Sequence, residues 1–203
     1  MSQSPVQPPK RYTEEEYFDL EAKAEEKHEF HDGLIVAMAG GSVTHTRIAN
    51  NLSRALGNRL AGSPCEPLGP DLRLHIPAYR KDVYPDMMTV CGPIEYHAPD
   101  KSKGTILNAR VVIEVLSPTT AHYDRREKRD YYLSVPSVDC YVLIEQDGPH
   151  VDILSRNADG SWGIDFAHSL EGVAKLPTLG IELPLAEIYE RVEFGTLDDT
   201  SPR

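Results

Sequence analysis

Cysteine is scarce in this chain of 203 residues: Cys65, Cys91 and Cys140 are odd in number, far apart, and form no C-x-x-C. That scarcity argues against a disulfide framework or a structural zinc site, and for a reducing cytoplasm. No apolar run approaches the roughly 18 residues that a membrane-spanning helix needs. There is no G-x-S-x-G and no phosphate-cradling glycine loop, so neither a serine hydrolase nor a nucleotide-binding motif is signalled. No internal repeat and no linker divides the chain. Positive charge is short as well, with 21 Lys and Arg against 32 Asp and Glu and a net charge of −11. Taken alone, this counts against non-specific nucleic-acid binding, which is driven by neutralising phosphates. The charge is uneven, however. Positions 13–32 hold nine acids and two bases, whereas 45–60 hold Arg47, Arg54 and Arg59 and no acid. A local basic surface is compatible with an acidic protein.

What is present reads as a single α+β domain over 12–192, between disordered tails at 1–11 and 193–203. The polar, proline-bearing N-terminus has no apolar core and so is not a signal peptide. Thr13 with Glu16 fits a capping box that opens a short helix, with Tyr17, Phe18 and Leu20 on its apolar side. Asp32-Gly33 is a two-residue hairpin turn between 28–31 and 34–38. On the first arm Glu29 and His31 share one face, and His28 and Phe30 share the other. His28 and His31 therefore point apart, which argues against a His-x-x-His metal site. After Gly40-Gly41, residues 42–46 supply helix caps for a stripe of Ile48, Ala49, Leu52, Ala55, Leu56 and Leu60, with Arg47 and Arg54 on one side of the helix. Residues 72–76 and 82–90 read as strands, the second containing Tyr84-Pro85-Asp86 with Asp86 at an irregular strand position. Residues 91–108 form a polar excursion or flap.

The organising stretch is Val111-Val112-Ile113-Glu114-Val115-Leu116-Ser117-Pro118. A β-branched run of this kind is the central strand of a sheet, buried on both faces. A carboxylate buried there must be protonated, paired or bound to a cation, unless its tip reaches solvent. Asp124 with Glu127 repeats the cap pattern and opens a helix through Lys128 to Leu133. Further strands at 141–144, 151–153 and 162–166 form a C-terminal β meander, closed by a short helix at 184–189. Asp86 and Glu114 form the pair of interest. Two carboxylates close together repel each other unless a cation intervenes, and oxygen donors suit Mg²⁺ or Mn²⁺. Such a site activates water and stabilises charge developing on a phosphate.

Tyr84-Pro85-Asp86, Val112 to Thr120, and Tyr123-Asp124-Arg125 with Lys128 and Tyr131 together resemble the Uma2 family of endonucleases. That family belongs to the PD-(D/E)XK, or restriction-endonuclease-like, superfamily. The likeness extends to His28-Glu29-Phe30 with Asp32-Gly33, to His45, and to 141–144. It implies a mixed central sheet flanked by helices and a Mg²⁺-dependent site acting on DNA. Asp86 and Glu114 are the implied metal ligands with the Val115 carbonyl as a third, and Glu29 fills the N-terminal acidic position. The superfamily places its lysine two residues after the Glu. Here that residue is Leu116, and Lys128 is the candidate replacement. His45, Arg47, Arg54 and Arg125 are the candidate DNA contacts, and a homodimer would match cutting of both strands. Simpler roles stay open: Glu29 pairing a base, His45 bonding at the helix start, Asp124 capping its helix, and the arginines forming a solvated face. Two other functions stay open as well: a nuclease-like fold that binds without cutting, and a metal-free acid/base hydrolase.

Overall fold

The computed structural model describes residues 9–117 and 121–194. Residues 1–8 and 195–203, within the expected tails, and Pro118-Thr119-Thr120 of the central motif lie outside the described residues.

Helix α1 (Glu14–Glu21) opens as its capping box dictates: the Thr13 hydroxyl accepts from the Glu16 amide, and the Glu16 carboxylate accepts from the Thr13 amide. Tyr17 and Phe18 are buried, but Leu20 is exposed, so the apolar side is narrower than the sequence pattern. Strands β1 (His28–His31) and β2 (Leu34–Ala37) form the expected hairpin. Its turn residues take positive φ, 46° at Asp32 and 91° at Gly33, as the twist of a two-residue hairpin requires. Ser42 caps α2 (Val43–Leu60), which buries Ile48, Leu52, Ala55, Leu56 and Leu60.

The strands divide mainly between two sheets rather than forming one. Strand β3 (Cys65–Leu68) was not signalled by the sequence. It is followed by β4 (Arg73–Ile76) and β5 (Lys81–Val83). The strand expected over 82–90 is in fact broken at Tyr84-Pro85-Asp86, and β6 (Met87–Cys91) begins in the other sheet. Pro85 has no N–H to continue a ladder, which explains a crossing at this point. The excursion that follows contributes a short strand, β7 (Thr105–Ile106). The smaller sheet has the order β2-β1-β5-β4-β7.

The larger sheet is centred on β8 (Val111–Val115), and all five of its residues are buried. It pairs antiparallel with β6 and parallel with β9 (Cys140–Ile144). A parallel pair needs a crossover, and a helix supplies it. That helix runs through α3 (Ala121–Tyr123), a π-helical turn (Asp124–Lys128) and α4 (Arg129–Ser134). It begins before Asp124, so Asp124 sits inside the helix and is not its cap. Strands β10 (His150–Arg156) and β11 (Trp162–His168) complete the meander, giving the order β11-β10-β9-β8-β6-β3. A separate hairpin, β12 (Val173–Leu176) with β13 (Ile181–Pro184), leads into α5 (Leu185–Ile188).

The alternation along β8 sorts the core. Val111, Ile113 and Val115 pack with Leu52, Leu56 and Ile188 under α2 and α5. Val112 and Leu116 pack with Leu74, Ile76 and Tyr132, from the smaller sheet and α4. Glu114 shares this second face, between two apolar neighbours. Truncating Leu56 or Ile113 to Ala would cost about 2–5 kcal/mol.

One expectation about cysteine is corrected. Cys65 and Cys91 form a disulfide, leaving Cys140 free and buried. The antiparallel pairing of β3 with β6 sets the two residues directly opposite each other. Their separation along the chain hid this contact. The inference from scattered cysteines to a reducing compartment loses its basis at these two residues.

Candidate functional site

The crossing of the chain between sheets places its carboxylates together. Asp86 follows Pro85 at the mouth of β6, beside the carboxyl end of β8. Its Oδ2 accepts the Val115 amide at 2.7 Å, and its Oδ1 lies 3.1 Å from His45 Nε2 near the start of α2. Glu114 projects from β8 toward the crossover helix, where its Oε1 accepts from Lys128 Nζ at 2.9 Å and from the Tyr132 hydroxyl at 2.6 Å. Lys128 also lies 3.5 Å from Asp124 Oδ1. Glu29 reaches in from the smaller sheet, accepting the Tyr84 amide at 3.1 Å and bonding His31 Nε2 at 2.9 Å. The shared face of Glu29 and His31 is thus realised.

These groups line a cavity of about 520 Å³ that includes Glu29, His45, Asp86, Glu114, Val115, Asp124, Lys128 and Gln146. Four carboxylates face one ammonium and one imidazole, an imbalance that attracts a cation. Burial pushes the Glu114 carboxyl up to about 8; Lys128 and Tyr132 oppose the rise, and Asp86 and Asp124 add to it. Burial alone would disfavour the Lys128 ammonium, yet Glu114, Glu29 and Asp124 together hold it above the usual lysine range. The hydrogen bond to Asp86 raises His45, outweighing its partial burial. Glu29 is held low because His31, Lys128 and the Tyr84 amide overcome its burial. The donor set of two carboxylates and a main-chain carbonyl fits a hard divalent cation such as Mg²⁺ or Mn²⁺.

Of the residues expected at a site, Glu29, His45, Asp86, Glu114, Val115 and Lys128 converge on this cavity. Arg47, Arg54 and Arg125 are not brought there. Arg47 donates to the Arg191 carbonyl, Arg54 pairs with Glu190, and Arg125 pairs with Glu145 and Asp152. Two participants lacked a sequence signal. Tyr132 donates to Glu114. Gln146 is buried on the cavity wall, where its carbonyl accepts from Ser42 Oγ at 2.8 Å and its amide nitrogen has no partner among the described residues. Gln146 follows β9 just beyond its carboxyl end, where parallel strands tend to gather ligands. That topology was the clue to it.

A mixed sheet of this connectivity, with carboxylates at one end and helices across its faces, is a restriction-endonuclease-like α+β fold. A family model described as "Putative restriction endonuclease", Uma2, matches residues 14–186, and the chain belongs to the Uma2 family. Two relatives from Synechocystis sp. (strain ATCC 27184 / PCC 6803 / Kazusa) are described as uncharacterized. The protein slr1290 is 33% identical over 194 residues, 96% of this chain and 100% of the relative. The protein sll1609 is 33% identical over 150 residues, 74% of this chain and 84% of the relative. A crystal structure from Anabaena variabilis ATCC 29413, described as "a putative nuclease belonging to DUF820", superposes with a TM-score of 0.66 at 15% identity. That alignment covers 85% of this chain and 96% of the other. Among the described residues, no helix is long and apolar enough to cross a membrane.

Proposed function

We propose that this protein is a metal-dependent endonuclease that hydrolyses DNA phosphodiester bonds. The observation that carries the proposal is the ammonium of Lys128, held 2.9 Å from Glu114 Oε1 in a cavity that Asp86 also lines. Asp86 and Glu114, with the Val115 carbonyl, would hold Mg²⁺ or Mn²⁺, which when bound lowers the pKa of water and offsets negative charge on phosphate. Lys128 orients the attacking water by donating to its oxygen, and its positive charge faces the non-bridging phosphate oxygens. Asp86 is aimed by the Val115 amide and His45. Glu29 steadies Lys128 electrostatically from the smaller sheet. His45, partly exposed at the cavity, is a donor for the DNA backbone. The bond that breaks is phosphorus to leaving oxygen, displaced by water oxygen without a covalent enzyme intermediate. A homodimer cutting both strands belongs to the same proposal, and light scattering tests the dimer.

A supercoiled-plasmid nicking assay tests the chemistry. Nicking is expected with Mg²⁺ and is expected to vanish with EDTA and in Asp86→Ala or Glu114→Ala. Nicking that persists in either variant or in EDTA would sink the assignment. Salt-dependent DNA binding with no nicking by the unaltered protein would instead favour a module that binds without cutting.

A further inference from the structure

On the opposite face of the smaller sheet from Glu29 lies a second group of ligating side chains. Phe30, Asp82 and His75 are cross-strand partners on β1, β5 and β4, so they share the face that α1 covers, whereas Glu29 and His31 point the other way. Glu14, the first residue of α1, and His97, from the excursion after β6, complete the group. One ligating atom from each of Glu14, His75, Asp82 and His97 lies within 4.8 Å of all the others. His75 Nδ1 is 2.9 Å from Asp82 Oδ1 and 3.8 Å from Glu14 Oε1, and His97 Nε2 is 3.2 Å from Glu14 Oε2.

These separations match a particular coordination geometry. A tetrahedral zinc with ligands at about 2.0–2.1 Å has ligand-to-ligand edges of about 3.3 Å. The three contacts, 2.9, 3.2 and 3.8 Å, fall on both sides of that value. Two imidazoles and two carboxylates are ligands that Zn²⁺ accepts, and two anionic oxygens balance its charge. An independent observation points to a missing partner: Asp82 is fully buried, and its Oδ2 has no hydrogen-bond partner among the described residues. Buried carboxylate oxygens are ordinarily satisfied. The rings of His75 and His97 stack with centroids 3.8 Å apart.

We propose that Glu14, His75, Asp82 and His97 form a structural Zn²⁺ site that fastens α1 and the post-β6 excursion to the smaller sheet. All four positions are taken by protein, so the site closes around its metal and holds no place for substrate. It is separate from the Asp86 and Glu114 cavity and does not depend on the nuclease reading.

The test uses the full chain, free of any affinity tag and stripped with EDTA, titrated with Zn²⁺ against a chromophoric chelator in excess Mg²⁺. One tightly held equivalent of Zn²⁺ is expected in the unaltered protein and in Asp86→Ala. His97→Gln should weaken it at least about tenfold, and Zn²⁺ should raise the melting temperature of the unaltered protein but not of His97→Gln. Should His97→Gln fail to fold by circular dichroism, Glu14→Gln at the rim of the site is read in its place, with a loss in the same direction. The proposal is overturned if the unaltered protein holds no equivalent, if these variants bind as tightly as it does, or if Asp86→Ala abolishes the binding. Plasmid nicking in Mg²⁺, measured separately, reports on the other site alone.

Discussion

Lys128→Met removes one ammonium and keeps most of the side-chain volume. In the folded protein that ammonium is buried, 2.9 Å from Glu114 and 3.5 Å from Asp124. At an effective dielectric near 20, each contact is worth roughly 5 kcal/mol of gross attraction. Desolvation cancels much of that gain, so the net value of the intact pair is small. Deleting one partner is a different matter, because Glu114, Asp124 and Glu29 then face one another with no cation. The expected loss is about 3–5 kcal/mol. For a chain of 203 residues this corresponds to a melting temperature lower by roughly 6–20 °C. Glu114→Gln combined with Lys128→Met removes the buried pair as a unit and keeps an acceptor for Tyr132. The double variant should therefore regain part of the stability, with a coupling of at least about 1 kcal/mol. Nicking should stay lost in both variants, because the proposed mechanism uses Lys128 for chemistry and not only for folding. Thermal melts and the plasmid assay, run on both variants, decide the matter. The reasoning fails if Lys128→Met melts within about 2 °C of the unaltered protein, if the double variant is no more stable than the single, or if either one nicks normally.

The remaining predictions concern the frame around the site. Arg73 is buried, bonding Asp100, Thr105 and Tyr84. Asp100 is held below the usual carboxylate range because Ser102, Thr105 and Arg73 outweigh its burial. A depressed carboxylate stabilises the fold fully above its unfolded pKa near 4, and that contribution fades as pH falls through its folded value. Asp100→Asn should cost about 3–5 kcal/mol in urea melts at pH 7, with the gap closing below about pH 4; a gap independent of pH would contradict this. Reducing Cys65–Cys91, which closes a loop with a sequence separation of 26, should lower stability by about 3.5 kcal/mol, and unchanged melting in dithiothreitol would count against the pairing. Arg54→Ala should leave the salt dependence of DNA binding intact, since Arg54 is held by Glu190; a shallower slope of affinity against salt would place it on the DNA.

Local signals in the sequence carried over wherever partners are near in the chain. The capping box at Thr13, the Asp32-Gly33 turn and the apolar stripe of α2 each depend on contacts within a few residues, and each formed as expected. The β-branched run at 111–115 announced a buried strand because both of its faces are covered. Long-range pairing was not legible. Nothing near Arg47 signals that its guanidinium meets the carbonyl of Arg191, and nothing near Cys65 announces Cys91. The division into two sheets hinged on Pro85. Its missing N–H was visible, but reading it as an irregularity inside one strand hid the change of sheet. Asp124 fitted a cap by pattern, and the helix began earlier because residues preceding it could also be wound in.

On the proposed mechanism, Lys128 takes the place of a lysine at Leu116 from another element of the fold. Leu116 follows Glu114 on the same face of β8, where a lysine would have the shortest path to that carboxylate. Here that face is sealed at Leu116 by Leu74, Ile76 and Tyr132, so an ammonium there would need to displace core packing. The crossover helix lies over the same strand end and offers another route. Its π turn shifts the hydrogen bonding: the Asp124 carbonyl accepts from the Arg129 amide, five residues on, and from the Tyr141 hydroxyl at 3.1 Å. Wide turns of this kind occur often at functional sites. In this one, Asp124 and Lys128 are buried together against Glu114, whereas Glu127 between them stays exposed. What the proposed chemistry requires is an ammonium beside a particular oxygen of Glu114, wherever in the chain its stem begins. A four-carbon side chain on a helix that crosses the sheet meets that requirement, and it leaves Leu116 free to close the core.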